Sequence, residues 1–309
     1  MSGEIKNQHY VPRMYMKRFA QDNSRLCVWN LMDDKILTRQ RPENYATRRY
    51  FYDAEKSELK DALSEMIKAY PSAEPIIDAA DEQLLEKGLS RLEADVASIL
   101  DEICTNHAAL YAEVNMKKLL IFLHTLAYRS EKYREQLDDI RTQTISHLET
   151  LGISADQVKG LGKTGKNDQL YRLLGISPLL KTAKKLMENY NWYIGSVTGS
   201  QKLVISDNPA QGIILGFNDI CIPLNGNKAI VFRIANPESP ILSEDQPVGN
   251  EIYLSDRSVF AYNAVQLSYA NRFVFGDKNS LLLLKSMCDR NGGYTRMFGE
   301  KPRLNVPHR

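Results

Sequence analysis

Several things are scarce in this chain, and each absence narrows what it can be. No run of about 18 consecutive apolar residues occurs, so no helical membrane span is expected. The opening, Met1 to Tyr10, has no apolar core of a secretory signal, which points to a cytoplasmic protein. Cysteine is sparse and scattered. Cys27, Cys104, Cys221 and Cys288 stand singly, which excludes a Cys-x-x-Cys centre and favours free thiols in a reducing compartment. His9, His107, His124, His147 and His308 form no His-Glu-x-x-His spacing, so no closed zinc site is readable. Internal repeats and low-complexity segments are absent. A phosphate-binding loop is nearly spelled by Gly160, Gly165, Lys166 and Asn167. It lacks the hydroxyl residue after the lysine that would hold Mg²⁺ and the strand that should precede it, and is rejected.

The 309 residues are 43% hydrophobic and 25% charged, enough apolar material for a sizeable core without metal or disulfide. Net charge is only +2, but it is unevenly spread. Residues 1–50 carry ten Lys/Arg against five Asp/Glu, and residues 53–102 carry five against fourteen. A basic face for phosphate is one account. Two oppositely charged segments that neutralise each other is the plainer one.

Pro12 disfavours helix at Val11 and suits the first turn of a short helix after it. Leu26–Trp29 and Lys35–Thr38, separated by a polar turn, read as a β-hairpin. Tyr45, Tyr50, Phe51 and Tyr52 cluster around Arg48 and Arg49; such a set can stack on bases, but more often it folds onto a core. From 54 to about 150 the period is helical. The clearest helix spans Asp81–Cys104, with Leu85, Leu89, Leu92, Val96, Ile99 and Ile103 on one stripe and Glu93 beside it. The next, around Leu119–Leu126, is apolar most of the way round and reads as the central buried helix. His124 on it reads as a satisfied core histidine. Arg129 at its end must find water, a carboxylate or an anion. Pro178–Tyr190 reads as a helix. Trp192–Ile194, Lys202–Ile205, Ala229–Ile234 and Glu251–Leu254 read as strands. Residues 206–226 and 235–250 read as connections, Ser255–Gln266 and Leu281–Cys288 as helices, and 291–309 as a loose basic tail.

Two polar knots carry the chemistry. The first is Asn7-Gln8-His9-Tyr10-Val11-Pro12-Arg13, followed by Met14, Tyr15, Met16 and Phe19. The second is Ser206-Asp207-Asn208-Pro209 after an apolar run. His9 can serve as general base or metal ligand, and Arg13 can hold a phosphate or carboxylate bidentately. Asp207 can ligate a metal or orient a histidine, and Asn208 can hydrogen-bond a substrate. Read alone, Ser-Asp-Asn-Pro is also ordinary turn chemistry.

The first knot resembles the opening motif of the bacterial family catalogued as DUF4238, a domain of unknown function. Its members begin with a Gln-His-Tyr-Val-Pro-Arg-x-Tyr-Leu-like run ending in Phe. Tyr50-Phe51-Tyr52, Glu93, Arg129, Ser206-Asp207-Asn208-Pro209-Ala210, Pro223-Leu224 and Asn263 through Asn271-Arg272-Phe273 resemble later landmarks in the same order. Met16 and Ile205 depart from the pattern without removing a polar group. The resemblance spans nearly the whole chain. It implies that His9, Arg13 and Asp207 belong to one site, and it supplies no reaction.

Three functions are open. The first is a hydrolase of phosphodiesters, nuclease-like: His9, Asp207 and Arg13 would be catalytic, Asp207 and Glu93 would hold Mg²⁺ or Mn²⁺, and Arg129 would neutralise charge. The second is a non-catalytic binder of nucleotide or nucleic acid, with Gln8, Tyr10, Tyr52, Asn208 and Arg129 on the ligand. The third is a buried ion network that only locks the fold. The expected fold is α+β, with a helical middle (about 54–190), a mostly antiparallel β-rich part (about 191–275) and an N-terminal segment packing back on the sheet. Together these form one interleaved domain over residues 1–290.

Overall fold

The computed structural model describes residues 4–21, 25–154, 164–234 and 242–299. The expected loop at 235–241, Gly160 of the rejected phosphate loop and residues 300–309 of the tail lie outside the described residues. With 55% helix and 18% strand among the described residues, the fold is α+β: a helical middle and C-terminal sheets rich in antiparallel pairs. Contacts group the chain into two compact units, each discontinuous in sequence. The first holds residues 1–10, 47–99 and 108–188, and the second residues 11–46, 100–107 and 189–309.

The first unit is helical. Its stripe Leu85, Leu89, Val96 and Ile99 is buried on a helix that starts at Leu84. The Glu113–Tyr128 helix is buried along its second half, at Leu119 and from Phe122 to Ala127. Val114 and Ile121 stay exposed on the rest, so this helix is central only at its C-terminal end. His124 is the satisfied core histidine expected. It lies 2.9 Å from Thr182 Oγ1 and 2.7 Å from the carbonyl of Arg172, and burial depresses its basicity. The remnant of the phosphate-loop pattern starts the Gly165–Leu174 helix. Thr164 and Asn167 cap it reciprocally, and Lys166 donates to Glu58 at 2.7 Å. Gly165 is required by close approach, since a Cβ there would come within 2.7 Å of the Arg134 carbonyl and the Asp138 carboxyl. One two-stranded sheet completes the unit: Asn7–His9 pairs antiparallel with Thr47–Arg49, Gln8 opposite Arg48.

The second unit holds two sheets. In the four-stranded one the order is Lys35–Gln40, Leu26–Asn30, Phe273–Gly276, Ile205–Ser206, all antiparallel. The expected hairpin therefore lies beside a strand from the far end of the chain. Its loop closes on Asp34, left-handed at φ 51°, whose carboxylate accepts from Trp29 Nε1 at 3.0 Å. In the five-stranded sheet the order is Asp219–Pro223, Lys228–Ile234, Tyr190–Val197, Glu251–Leu254, Pro247–Val248. Only the pairing of Tyr190–Val197 with Glu251–Leu254 is parallel. The Asp256–Tyr269 helix gives Val259 and Tyr262 to the core of this sheet and Leu267 to that of the other.

Three further expectations change. The strand at Lys202–Ile205 shrinks to Ile205–Ser206, because helix side chains take the hydrogen bonds of a neighbouring strand. Asn263 accepts from Val204 N at 2.9 Å and donates to Lys202 O at 2.8 Å, and Gln266 accepts from Ser206 N at 3.0 Å. The 206–226 connection contains a helix, Gln211–Leu215, and a fully buried strand, Asp219–Pro223. The polar Asp219 and terminal Pro223 hide that strand from an apolar-run reading. Within the tail expected to be loose, Tyr294–Phe298 is a helix, seated by the buried Tyr294 ring in the core around Trp29 and Val274.

Candidate functional site

The residues singled out in the sequence divide between the units. Gln8, His9, Tyr10, Tyr52, Glu93 and Arg129 fall in the first; Arg13, Asp207 and Asn208 fall in the second.

In the first unit they form one buried network. Arg129, 2% exposed, ends its helix with a guanidinium directed into protein. It donates to Glu93 Oε1 at 2.8 Å, to the backbone carbonyl of His9, and weakly to Tyr52 Oη at 3.4 Å. Burial opposes its charge, but the tyrosine and the carboxylate outweigh burial and make it more basic than usual. Tyr52 returns the contact by donating to the Arg129 carbonyl at 2.8 Å, and burial pushes its phenol up to about 12. Gln8 accepts from the Tyr52 backbone N–H and donates to Asp53. Tyr10 packs on Phe51 with ring centres 5.9 Å apart. The aromatic patch is thus largely core: Phe51 and Tyr52 are buried, and Arg134 lies 3.7 Å from the Phe51 ring centre.

Sequence reading missed three members of this network. Gln83 binds both backbone groups of Ile5, at 2.9 and 2.8 Å, and clamps the N-terminal strand in place. Asp53 accepts from Gln8 and Gln83. Glu86 is the third. It is 8% exposed, and its Oε2 atom has no hydrogen-bond partner among the described residues. Burial raises its carboxyl most, Arg129 opposes, and Glu93 and Asp53 add to the rise, leaving it at about 7. The signal was in the sequence: Glu86 precedes Glu93 by seven residues, two turns, and so shares its helix face. Beside the network opens a cleft of about 650 Å³, lined by Asp53, Glu55, Lys56, Asp81, Gln83 and Lys87 among others.

In the second unit the motifs meet in pairs. Asp207 is 1% exposed. Its carboxylate accepts from the backbone N–H groups of Asn271 (2.7 Å), Arg272 (2.8 Å) and Phe273 (3.3 Å). The Ser-Asp-Asn-Pro knot therefore holds the Asn-Arg-Phe turn that leads into the Phe273–Gly276 strand. Asn208 is fully buried, donates to Gln211 at 3.1 Å, and leaves Oδ1 without a hydrogen bond among the described residues. Tyr15 donates to the Pro223 carbonyl at 2.5 Å and Arg18 to the Leu224 carbonyl at 2.8 Å, so the Pro-Leu motif receives the helix of the first motif. Arg13, near the surface, lies 3.6 Å from Glu43.

Both carboxylates expected to hold a divalent ion are already engaged, Glu93 by a guanidinium and Asp207 by three amides. Among the described residues no three His, Cys, Asp or Glu side chains converge as a metal-holding group. Nor is any helix among them long and apolar enough to cross a membrane.

The fold is α+β, and within each unit the motif residues engage one another. Residues 7–280 match the family described as Protein of unknown function (DUF4238), and the chain belongs to it. Comparison with curated proteins and with solved structures returned no match.

Proposed function

We propose that this protein is a hydrolase of phosphodiesters, nuclease-like, that works by carboxylate acid–base chemistry with Glu86 moving the proton. The observation that carries the reading is Glu86 itself, a buried carboxyl with an oxygen left unpartnered among the described residues, on the same helix face as the Glu93–Arg129 ion pair. Two carboxyl groups in one site, one salt-bridged and one kept protonatable near neutrality, match an acid–base pair. The substrate class is supported by Arg49, exposed on the strand that pairs with Asn7–His9, next to Arg48, which is ion-paired with Glu131. The Arg49 guanidinium lies 5.6 Å from the Tyr50 ring centre, a combination suited to a phosphate and a base.

A second reading, the buried lock, is favoured by one observation: the Arg129 guanidinium donates to Glu93, His9 and Tyr52, all within the fold. A cleavage assay separates the two. Full-length protein is incubated with single- and double-stranded DNA and RNA, in Mg²⁺, Mn²⁺ or EDTA, beside Glu86→Gln and His9→Ala. The hydrolase reading expects cutting by wild type and a loss of about 100-fold or more in Glu86→Gln with the melting temperature not lowered. An inert but folded wild type overturns it and leaves the lock.

A further inference from the structure

On the five-stranded sheet of the second unit lies a group of reactive side chains that the network around Arg129 does not use. Ser196 is on the Tyr190–Val197 strand, directly opposite Lys228 on one neighbouring strand and Tyr253 on the other. Directly opposed residues share a sheet face, so the three side chains stand in a row. Lys228 Nζ donates to Ser196 Oγ at 2.8 Å and to His107 Nε2 at 2.9 Å. His107 Nδ1 lies 2.6 Å from Glu251 Oε1. An ammonium has only donors, so His107 Nε2 must accept. The ring proton then sits on Nδ1 and is donated to Glu251. That hydrogen bond, with help from Tyr253 and Lys228, holds the Glu251 carboxyl below its usual range.

The result is an unbroken chain Glu251–His107–Lys228–Ser196. Its carboxylate and imidazole ends are about a quarter exposed, while Ser196 is sheltered at 9% exposure. The lysine contacts no carboxylate directly; a neutral imidazole and a hydroxyl are its hydrogen-bond partners among the described residues. An ion pair built for stability would place Glu251 against the ammonium. Interposing an imidazole instead leaves Lys228 Nζ with no carboxylate partner among the described residues and within reach of the Ser196 hydroxyl. Nucleophile, base and orienting group within hydrogen-bond reach of one another is the arrangement of nucleophilic catalysis. Cys104 is a further titratable group near Lys228. Its thiol is raised by burial and accepts from Arg18 and Asn225.

We propose that Ser196 is the nucleophile of a second catalytic centre, one that hydrolyses carboxylic esters, with Lys228 as its base and His107 and Glu251 as positioning residues. Lys228 acts as its neutral amine, turned toward Ser196 by His107, which Glu251 orients. The neutral amine takes the Ser196 hydroxyl proton as Oγ bonds to the acyl carbon. The ester C–O bond breaks, and the leaving alkoxide recovers that proton from Lys228 and departs as the alcohol. Water, deprotonated by the same amine, then attacks the acyl carbon. The acid leaves, and Ser196 regains its proton from Lys228.

The test is labelling of the full chain with a fluorophosphonate, which forms an O–P bond at an activated serine and releases fluoride. Labelling is read by intact mass and peptide mapping, alongside hydrolysis of 4-nitrophenyl acetate. The expected result is one adduct on Ser196, absent in Ser196→Ala, with labelling and esterase rates down about 100-fold in Lys228→Met. In His107→Gln the esterase kcat should fall about tenfold with KM and the melting temperature unchanged, a split a merely structural histidine would not give. Because Ser196→Ala removes a single oxygen, its fold is not at issue. No adduct on folded wild type, or equal labelling and esterase activity in Ser196→Ala, overturns the proposal.

Discussion

A carboxyl group withdrawn from water without a full counter-charge of its own makes a protein's stability depend on pH, and Glu86 is placed to do this. Its folded form binds a proton more tightly than its unfolded form, at about 7 against an ordinary value near 4.5. Stability from this group is therefore fully present below about pH 4.5 and is lost as the pH rises through about 7. In Glu86→Gln this dependence vanishes. Urea unfolding should show the variant gaining on wild type between pH 5 and pH 8, by up to about 3 kcal/mol at the alkaline end. A difference that stays constant with pH would mean that Glu86 is solvated. At this scale His124 was legible, because a single histidine on an apolar helix has one common fate. Glu86 was legible only as a position. Its spacing to Glu93 is written in the chain, but its desolvation depends on Asp53 and Arg129, which approach from other segments.

Elements in this protein are held together by side chains acting as backbone partners. Gln83 pairs with Ile5, Asn263 and Gln266 line the run before Ser206, and Asp207 gathers the three amides that start the Phe273–Gly276 strand. Asp207→Ala leaves three N–H groups without that acceptor, one in a buried and two in partly buried hydrogen bonds, each costing roughly 1–3 kcal/mol if left unsatisfied. Chemical denaturation should register a loss on the order of 3 kcal/mol; a loss under about 1 kcal/mol would show that water or a shifted backbone replaces the carboxylate. Periodicity located the long helices and the Leu26–Gln40 hairpin, because their patterns are local. It overestimated the strand at Lys202–Ile205 because an apolar run does not say who supplies its hydrogen bonds. It missed Asp219–Pro223, whose buried aspartate is answered by Tyr262 from a distant helix, at 2.8 and 2.9 Å.

At the scale of the whole molecule, the chain's two ends are stitched into one sheet. Phe273–Gly276 lies between Leu26–Asn30 and Ile205–Ser206, so the four-stranded sheet cannot close until the C-terminal part is made. Contacts of such sequence separation carry a loop-closure cost and slow folding. Truncation after Ala270 removes the central strand and the Lys278–Arg290 helix that covers it. Hydrogen exchange should then find residues 26–40 unprotected, while the same residues exchange slowly in the full chain. Equal protection in both would mean that the hairpin is stable without its neighbour, which an isolated hairpin seldom is.

Taken alone, the amino-acid sequence determined the α+β class, the helical middle, the hairpin and the core histidine. It also marked the motif residues Gln8, His9, Glu93, Arg129 and Asp207 as worth following. These are consequences of local spacing and of the chemistry of single side chains. Tertiary structure alone decided that Asp207 serves backbone amides, that Glu86 is buried beside an ion pair, and that Ser196, Lys228, His107 and Glu251 line up. Each depends on strand register or on burial by distant segments. A polar side chain's proton affinity and its partner are set by what the fold brings against it, and no local pattern of residues records that.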